Sequence, residues 1–383
     1  MTRPLWVVTD PHPLEPLRAA LSGDGPAILP VAPAVADAPR SNVPAEVPRP
    51  VAVVIETSGS TDAPKRVMLS TDALLASAAG TDTALCGPGQ WVLALPGHYI
   101  AGVQVLVRSI AAGTTPVILP TGHFDPVAFA AAAETLTEPV RYTSLVPVQL
   151  ARLVAAASDD GRVRRAVRRF DAILVGGQAL PPDLLAQALD LDLHVVRTYG
   201  SSETAGGCVY DGVPIGNAAV RTREVDGANQ LEISGSMLAL GYLGDDERTA
   251  SRFIDDHGER WYQTGDLGEI GADGVVRVLG RADNVIISGG EKISLDAVER
   301  VVRSLPGLAG AVVIPADDPD WGQVPVVVSE GESLPLLADV REAVASVLGS
   351  PARPARVVSV QRMPMLASGK PDRQALRRLG GTR

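Results

Sequence analysis

From Val51 onward, the chain alternates short β-branched runs with stretches whose apolar positions recur at helical spacing. Val51–Ile55 is continuously apolar, the pattern of a strand buried on both faces. A Gly/Ser/Thr-rich stretch follows, and the Ala/Leu run from Asp72 predicts a helix with Ser70 as its cap. The alternation continues with predicted strands at Trp91–Leu95, Thr115–Leu119, Tyr142–Val146, Ala172–Val175 and His194–Arg197. Helices are predicted at Gly102–Ala112, Pro126–Leu136, Pro147–Ala157 and Pro182–Ala188. Strands alternating with helices predict a mainly parallel α/β sheet.

From about Glu224 to Val278 the pattern changes to short strands separated by Gly, Asp and Asn, as in a small antiparallel unit. Beyond Arg281, helix Leu295–Arg303, strand Ala311–Pro315, helix Leu336–Val347 and strand Ala355–Val360 predict an α+β block long enough for a small domain. Residues 22–50 are proline-rich and read as an extended surface segment or linker. The expected fold class is therefore α/β: a large N-terminal domain of α/β layers with a small antiparallel β unit (1–282), followed by a small α+β C-terminal domain (283–383).

Charge and composition narrow the function. With 34 Lys+Arg against 44 Asp+Glu, the 383-residue chain carries a formal charge of −10, which argues against a nucleic-acid partner. No apolar run reaches the roughly 20 residues of a membrane span. Two cysteines, Cys86 and Cys208, suggest a reducing compartment and are expected as small buried apolar residues, so the protein is expected in the cytoplasm. Among the basic residues only Lys65, Lys292 and Lys370 are lysines. Lysine is a compact point charge where arginine is a planar fork, so a lysine kept in so arginine-rich a chain is a candidate for a specific task.

Four stretches could carry chemistry. Thr57-Ser58-Gly59-Ser60-Thr61, ending in Lys65, offers backbone N–H groups and a cation, as a polyphosphate cradle does; a solvated Ser/Thr loop is the other reading. In Tyr199-Gly200-Ser201-Ser202-Glu203 an aromatic beside glycine offers a flat surface for a base, and Ser202 with Glu203 could hold a hard cation near phosphates; a turn with a surface glutamate is the alternative. Asp266 could accept from both hydroxyls of a diol, or simply sit in a Gly-Asp turn. Lys370 lies in a Ser-Gly-Lys-Pro-Asp-Arg segment that otherwise reads as a basic tail.

Together, in this order, these motifs resemble the adenylate-forming superfamily of acyl-CoA synthetases, nonribosomal adenylation domains and luciferases. The resemblance runs from Val51 to Arg373. It implies that Thr57–Lys65 binds the ATP phosphates, that Gly176-Gly177-Gln178 lines the adenine, that Tyr199 stacks on the base with Gly200 beside it, and that Glu203 holds Mg²⁺. It implies Asp266 with Arg281 on the ribose and Asp283 as the hinge of a mobile C-terminal domain. Gly289, Gly290 and Lys292 would face the thiol of coenzyme A, and Lys370 would be the mobile catalytic lysine, with Glu203 and Lys65 assisting the chemistry. Two positions depart from the pattern: relatives usually have glycine where this chain has Asp62 and Arg66. An acid beside the phosphates should repel ATP unless it points away or meets Mg²⁺ or Arg66.

Local features around Tyr199–Gly212, Leu95–Gly102 and Thr143–Leu150 further resemble the o-succinylbenzoate:CoA ligases of menaquinone biosynthesis, particularly actinobacterial ones. This implies an AMP-forming acid–thiol ligase acting on a small aryl or acyl carboxylic acid, ATP and CoA. Ser201, Gly206 and Gly207 would give the acid room and a hydroxyl. His98 would line the acyl or pantetheine path, or else be a packed histidine. Another aryl or acyl-CoA ligase, a stand-alone adenylation enzyme and a catalytically impaired nucleotide binder are the competing readings. No carrier domain follows residue 383, so free CoA is the expected acceptor, and a homodimer is common among such ligases.

Overall fold

A computed structural model describes residues 1–33, 43–57, 64–120, 122–331, 334–366 and 370–380. Contacts divide the chain into two compact units. The first comprises Met1–Arg221, Glu232–Gln263 and Gly274–Val276; the second comprises Thr222–Leu231, Thr264–Asp273 and Arg277–Arg383.

In the first unit, strand Val51–Thr57, buried from Val51 to Ile55, becomes the centre of a six-stranded sheet, in the order Gly241–Tyr242, Lys65–Ser70, Val51–Thr57, Ala27–Pro30, Thr2–Val8, Glu46–Pro48. Two of these strands correct the expectation for residues 22–50. Ala27–Pro30 is buried throughout and pairs parallel with Thr2–Val8, and Glu46–Pro48 closes an edge, where proline is tolerated. Lys65–Ser70 is also a strand rather than loop, hydrogen-bonded antiparallel to Val51–Thr57. Ser70 then caps helix Thr71–Ala84, accepting from the Ala73 N–H at 3.1 Å, as its sequence predicts.

A seven-stranded sheet follows the expected alternation: Val117–Ile118, Gln90–Leu93, Arg141–Leu145, Ala172–Val175 and Val195–Ser201 run parallel, and Gly206–Tyr210 and Val213–Pro214 continue it antiparallel. Helices Pro126–Glu134, Pro147–Asp159 and Gly161–Val167 close a core around Phe124, Phe129, Leu150, Leu153 and Phe170, in which Phe129 stacks on Phe170 at 5.5 Å. Cys208 is buried as expected; Cys86 is exposed, because it follows the C-terminus of its helix. Among the described residues no helix is long and apolar enough to cross a membrane.

The antiparallel strands expected after Glu224 are present as Ala219–Val225, Ala228–Ser234, Phe253–Asp256, Glu259–Ile270 and Val276–Arg281. In the second unit, Gly322–Glu330 pairs antiparallel with Val312–Asp318 and parallel with Arg356–Val360. Alternation along these strands divides the core. Val313 and Val327 face helices Leu295–Arg303 and Leu337–Leu348 through Val298, Val302, Val340 and Val344. Val312, Ile314, Val326 and Val328 face Met363 and, from the C-terminal helix Arg373–Gly380, Leu376.

Candidate active site

The hydroxyl-rich stretch after Thr57 joins two antiparallel strands, whose register sets Thr57 opposite Lys65 and Glu56 opposite Arg66. Ser58, Gly59, Ser60, Thr61 and Asp62 lie outside the described residues. Arg66 belongs to the strand that follows, where its Nε is 2.9 Å from Glu56 Oε1 and both side chains are mostly buried. Its charge is thus engaged across the hairpin by a carboxylate other than Asp62.

Gly176, Gly177 and Gln178 follow the C-terminal end of strand Ala172–Val175. The adjacent parallel strand, in which Arg197 pairs with Val175, carries Thr198 and Tyr199 just beyond. The carboxyl ends of parallel strands are where open α/β sheets bind ligands, and Gly176, Gly177, Gln178 and Tyr199 stand at such ends. Next to Tyr199 the register shifts by a bulge, and Gly200 meets Gly206–Gly207 of the returning strand. A Cβ at Gly200 would lie 2.1 Å from the Gly206 carbonyl oxygen, so only glycine allows the two backbones to approach this closely.

The 3₁₀ turn Ser202–Thr204 then buries Glu203, which is 7% exposed. Its Oε1 accepts from the Tyr242 hydroxyl at 2.9 Å, and its backbone carbonyl accepts from Ala239 N–H at 2.8 Å. Burial, and then the charge of Glu203, push the Tyr242 hydroxyl pKa up, so that it remains a proton donor. A cation site built on this carboxylate fits Mg²⁺. That ion keeps several waters and takes one or two carboxylates alongside substrate phosphates rather than an all-protein cage. Among the described residues no cluster of three His, Cys, Asp or Glu is found.

Ser201 Oγ, at the start of this turn, and Gln104 Oε1 are buried with no hydrogen-bond partner among the described residues, and so is His98 Nδ1. Ser201 pairs with Gly206, and a Cβ at Gly206 would come within 3.2 Å of Gln104 Cγ. A buried group left unpaired costs about 1–3 kcal/mol, which a ligand or water can recover. His98 stacks at a tilt on Tyr99, 4.2 Å between ring centroids, and burial lowers its pKa, keeping the imidazole neutral. Gln104 and Tyr242 are not among the residues expected from the sequence. Gln104 was legible as a polar residue inside the apolar helix Ile100–Ala112; Tyr242 had no local signal.

The other expected residues belong to the second unit. Arg281 Nη1 lies 2.9 Å from Asp266 Oδ1, while its Nε and Nη2 reach the two oxygens of Asp283 at 3.2 and 3.3 Å. Burial acts to lower the Arg281 pKa, but the hydrogen bonds and charges of Asp283 and Asp266 outweigh it and hold the guanidinium above its ordinary range. One fork therefore ties Asp266, the expected ribose carboxylate, to Asp283, the expected hinge. Gly289 and Gly290 form the two-residue turn between strands Val285–Ser288 and Glu291–Ser294, with φ of 57° and 87°. Positive φ at both centres is what a type I′ hairpin demands. Lys292 is paired with Ile287 one step from this turn, and its ammonium donates to the Asp226 carbonyl. Lys370 is exposed, and its backbone carbonyl accepts from Leu366 N–H at 2.8 Å.

A family model for the AMP-binding enzymes matches residues 10–237, and one for the AMP-binding enzyme C-terminal domain matches residues 297–370. A probable 2-succinylbenzoate–CoA ligase of Mycobacterium tuberculosis is 40% identical over 338 residues, covering 86% of this chain and 85% of the relative. The 2-succinylbenzoate–CoA ligase of Listeria innocua is 31% identical, covering 85% of this chain and 69% of its own length. Among solved structures, o-succinylbenzoate CoA synthetase (MenE) from Bacillus subtilis in complex with the acyl-adenylate intermediate OSB-AMP aligns over 97% of this chain and 83% of that one, with TM-score 0.75 and 23% identity. The amide bond synthetase McbA from Marinactinospora thermotolerans aligns over 94% and 76%, with TM-score 0.75 and 24% identity, a likeness of fold. The chain belongs to the AMP-binding enzyme family.

Proposed function

We propose that this chain is an AMP-forming acid–thiol ligase that converts 2-succinylbenzoate into its CoA thioester, a step of menaquinone biosynthesis, with ATP, Mg²⁺ and CoA. The observation that carries the reading is the 40% identity to a probable 2-succinylbenzoate–CoA ligase over 86% of the chain. The buried, unpaired Ser201 hydroxyl beside Gly206 supports it, as a donor for a bound acid.

The reaction has two half-steps. A carboxylate oxygen bonds to the α-phosphorus of ATP as the bond to the β-phosphate oxygen breaks, releasing pyrophosphate. The thiol sulfur of CoA then bonds to the acyl carbon as the C–O bond to AMP breaks, and the thiol proton leaves to solvent. The first half brings two anions together, so the protein must position them and neutralise charge. Mg²⁺ on Glu203 would offset the phosphate charge. Tyr242 orients that carboxylate and Ser202 stands with it near the phosphates, Lys65 and the Thr57–Thr61 stretch hold the β- and γ-phosphates, Gly176, Gly177, Gln178, Tyr199 and Gly200 receive the base, and Lys370 neutralises the α-phosphate and the entering carboxylate. Asp266 and Arg281 bind the ribose, with Asp283 as pivot of a C-terminal domain over 283–383. Gly289, Gly290 and Lys292 face the thiol in the second step. His98, Ser201, Gly206 and Gly207 line the acid pocket, and neutral His98 adds no charge beside a dianionic acid. Because ATP and CoA are intracellular metabolites, the reaction is placed in the cytoplasm; pairing into a homodimer is part of the reading and is measured by light scattering.

The test is pyrophosphate release and thioester formation across a panel of aryl acids with ATP and CoA. The expected result is a response to 2-succinylbenzoate well above that to benzoate or succinate. A flat response to 2-succinylbenzoate refutes the reading.

A further inference from the structure

Within the second unit, the acidic side chains of helix Leu295–Arg303 gather the segments that carry Arg281 and Lys370. Asp296 accepts from the Arg281 backbone N–H at 2.7 Å and from Asn284 Nδ2 at 2.8 Å, and Arg373 Nη2 lies 3.8 Å from its Oδ1. Nearly one turn on, buried Glu299 accepts from Arg373 Nη2 at 2.8 Å and from the Val313 N–H at 2.9 Å, with Arg303 Nη2 at 2.7 Å. Arg373 Nη1 also donates to the Val313 carbonyl at 2.7 Å. The Arg373 guanidinium is thus held by a helix and by a sheet strand at once.

Arg373 stands three residues after Lys370, and the intervening chain is stiff. Pro371 fixes its own φ. The Asp372 N–H donates to the Pro364 carbonyl at 2.8 Å, and the Asp372 side chain accepts from Ala375 N–H at 2.9 Å, capping the last helix. Few torsions remain between the anchored guanidinium and the Lys370 backbone. Besides the ion pair this helix has an apolar anchor, since Leu376 is completely buried in a cluster with Val312, Ile314, Val326 and Val328. Buried ion pairs seldom add more stability than an apolar contact of the same shape, whereas their geometry is directional.

We propose that Arg373, clamped by Glu299 and the Val313 carbonyl, is a positioning residue for Lys370, and that Asp296 ties this clamp to the Arg281–Asn284 segment. The inference rests on the reading of Lys370 as the adenylation lysine. A displaced Lys370 harms pyrophosphate release, where its charge is needed, and leaves thiol attack on a finished acyl-adenylate alone.

The experiment compares the full chain with its Arg373→Gln, Arg373→Lys and Glu299→Gln variants, after wild-type pyrophosphate release with 2-succinylbenzoate has been measured. Because misplacing a catalytic group by an ångström can cost about a hundredfold, Arg373→Gln is expected to lower kcat for pyrophosphate release by at least about tenfold. KM for ATP and the rate of thiolysis of supplied acyl-adenylate should stay within about twofold, and Arg373→Lys should recover part of the loss. Glu299→Gln should lower kcat in the same direction as Arg373→Gln, and the losses in the double variant should be less than additive, because both remove the Arg373–Glu299 pair. An unchanged kcat, or equal losses in both half-reactions, overturns the proposal. A wild-type chain that releases no pyrophosphate with any acid refutes the functional reading instead. Hydrogen exchange at the Leu366 and Asp372 amides then decides the clamp: faster exchange in Arg373→Gln, with strand Gly322–Glu330 unaltered, supports it, and unchanged exchange overturns it.

Discussion

Tyr242→Phe removes a single oxygen from the buried pair with Glu203, whose two oxygens stand 2.9 Å apart with the tyrosine 2% exposed and the glutamate 7%. Water reaches neither side chain easily, so the carboxylate loses a donor without solvent replacing it. A hydrogen bond to a charged group contributes about 1.5–3 kcal/mol, against about 1 kcal/mol for a neutral pair. The substitution should therefore lower the folding constant of the first unit by roughly ten- to a hundredfold. In a Glu203→Gln background the same change should cost only about 1 kcal/mol, leaving a coupling of about 0.5–2 kcal/mol in the double-mutant cycle. Urea unfolding of the four proteins in a Trp321→Phe background measures this, since Trp321 is in the second unit while Trp6, Trp91 and Trp261 report on the first. If Tyr242→Phe costs less than about 0.5 kcal/mol, or costs the same in both backgrounds, the charged pair is not what holds Glu203 in place.

Lys370→Ala should abolish pyrophosphate release while leaving thiolysis of supplied acyl-adenylate largely intact, and Lys370→Arg should also be costly despite keeping the charge, because a planar fork replaces a point charge; full adenylation by either variant contradicts the assignment. Arg281→Lys loses the fork that joins Asp266 to Asp283 and should raise KM for ATP by about tenfold, a bidentate charge-assisted contact being worth about 1.5–3 kcal/mol, as initial-rate kinetics at varied ATP would show. Burial lowers the pKa of both His98 and His12, so below the unfolded value of about 6.5 the unfolded chain binds protons that the folded chain resists. Stability contributed by these groups is present above that pH and falls as pH drops through the window; melting curves of His98→Gln should show a shallower acid decline than wild type, and identical curves would exclude His98 as a contributor.

Much of the architecture was legible because period and propensity agreed over long stretches. The buried run at Val51 and the helix capped by Ser70 needed no tertiary information. The strand at Lys65–Ser70 was hidden because Lys65, Arg66 and Ser70 resemble loop chemistry, and its identity comes from pairing with Val51–Thr57. Prolines concealed Ala27–Pro30 and Glu46–Pro48, since propensity penalises proline although a strand end or edge accepts it. Likewise, Glu203 could be singled out from its neighbours, whereas the Tyr242 donor that orients it comes from 39 residues away. Glu299 and Arg373 are 74 residues apart, and only the sheet between them brings their charges together.

The central claim is that the acid is activated as an acyl-adenylate before the thiol attacks. The most direct measurement supplies 2-succinylbenzoate carrying heavy oxygen in its succinyl carboxylate, with ATP and CoA, and analyses the nucleotide product by mass spectrometry. The account predicts 2-succinylbenzoyl-CoA, unlabelled pyrophosphate and AMP bearing one heavy oxygen. Unlabelled AMP, or ADP and labelled phosphate in its place, would contradict it.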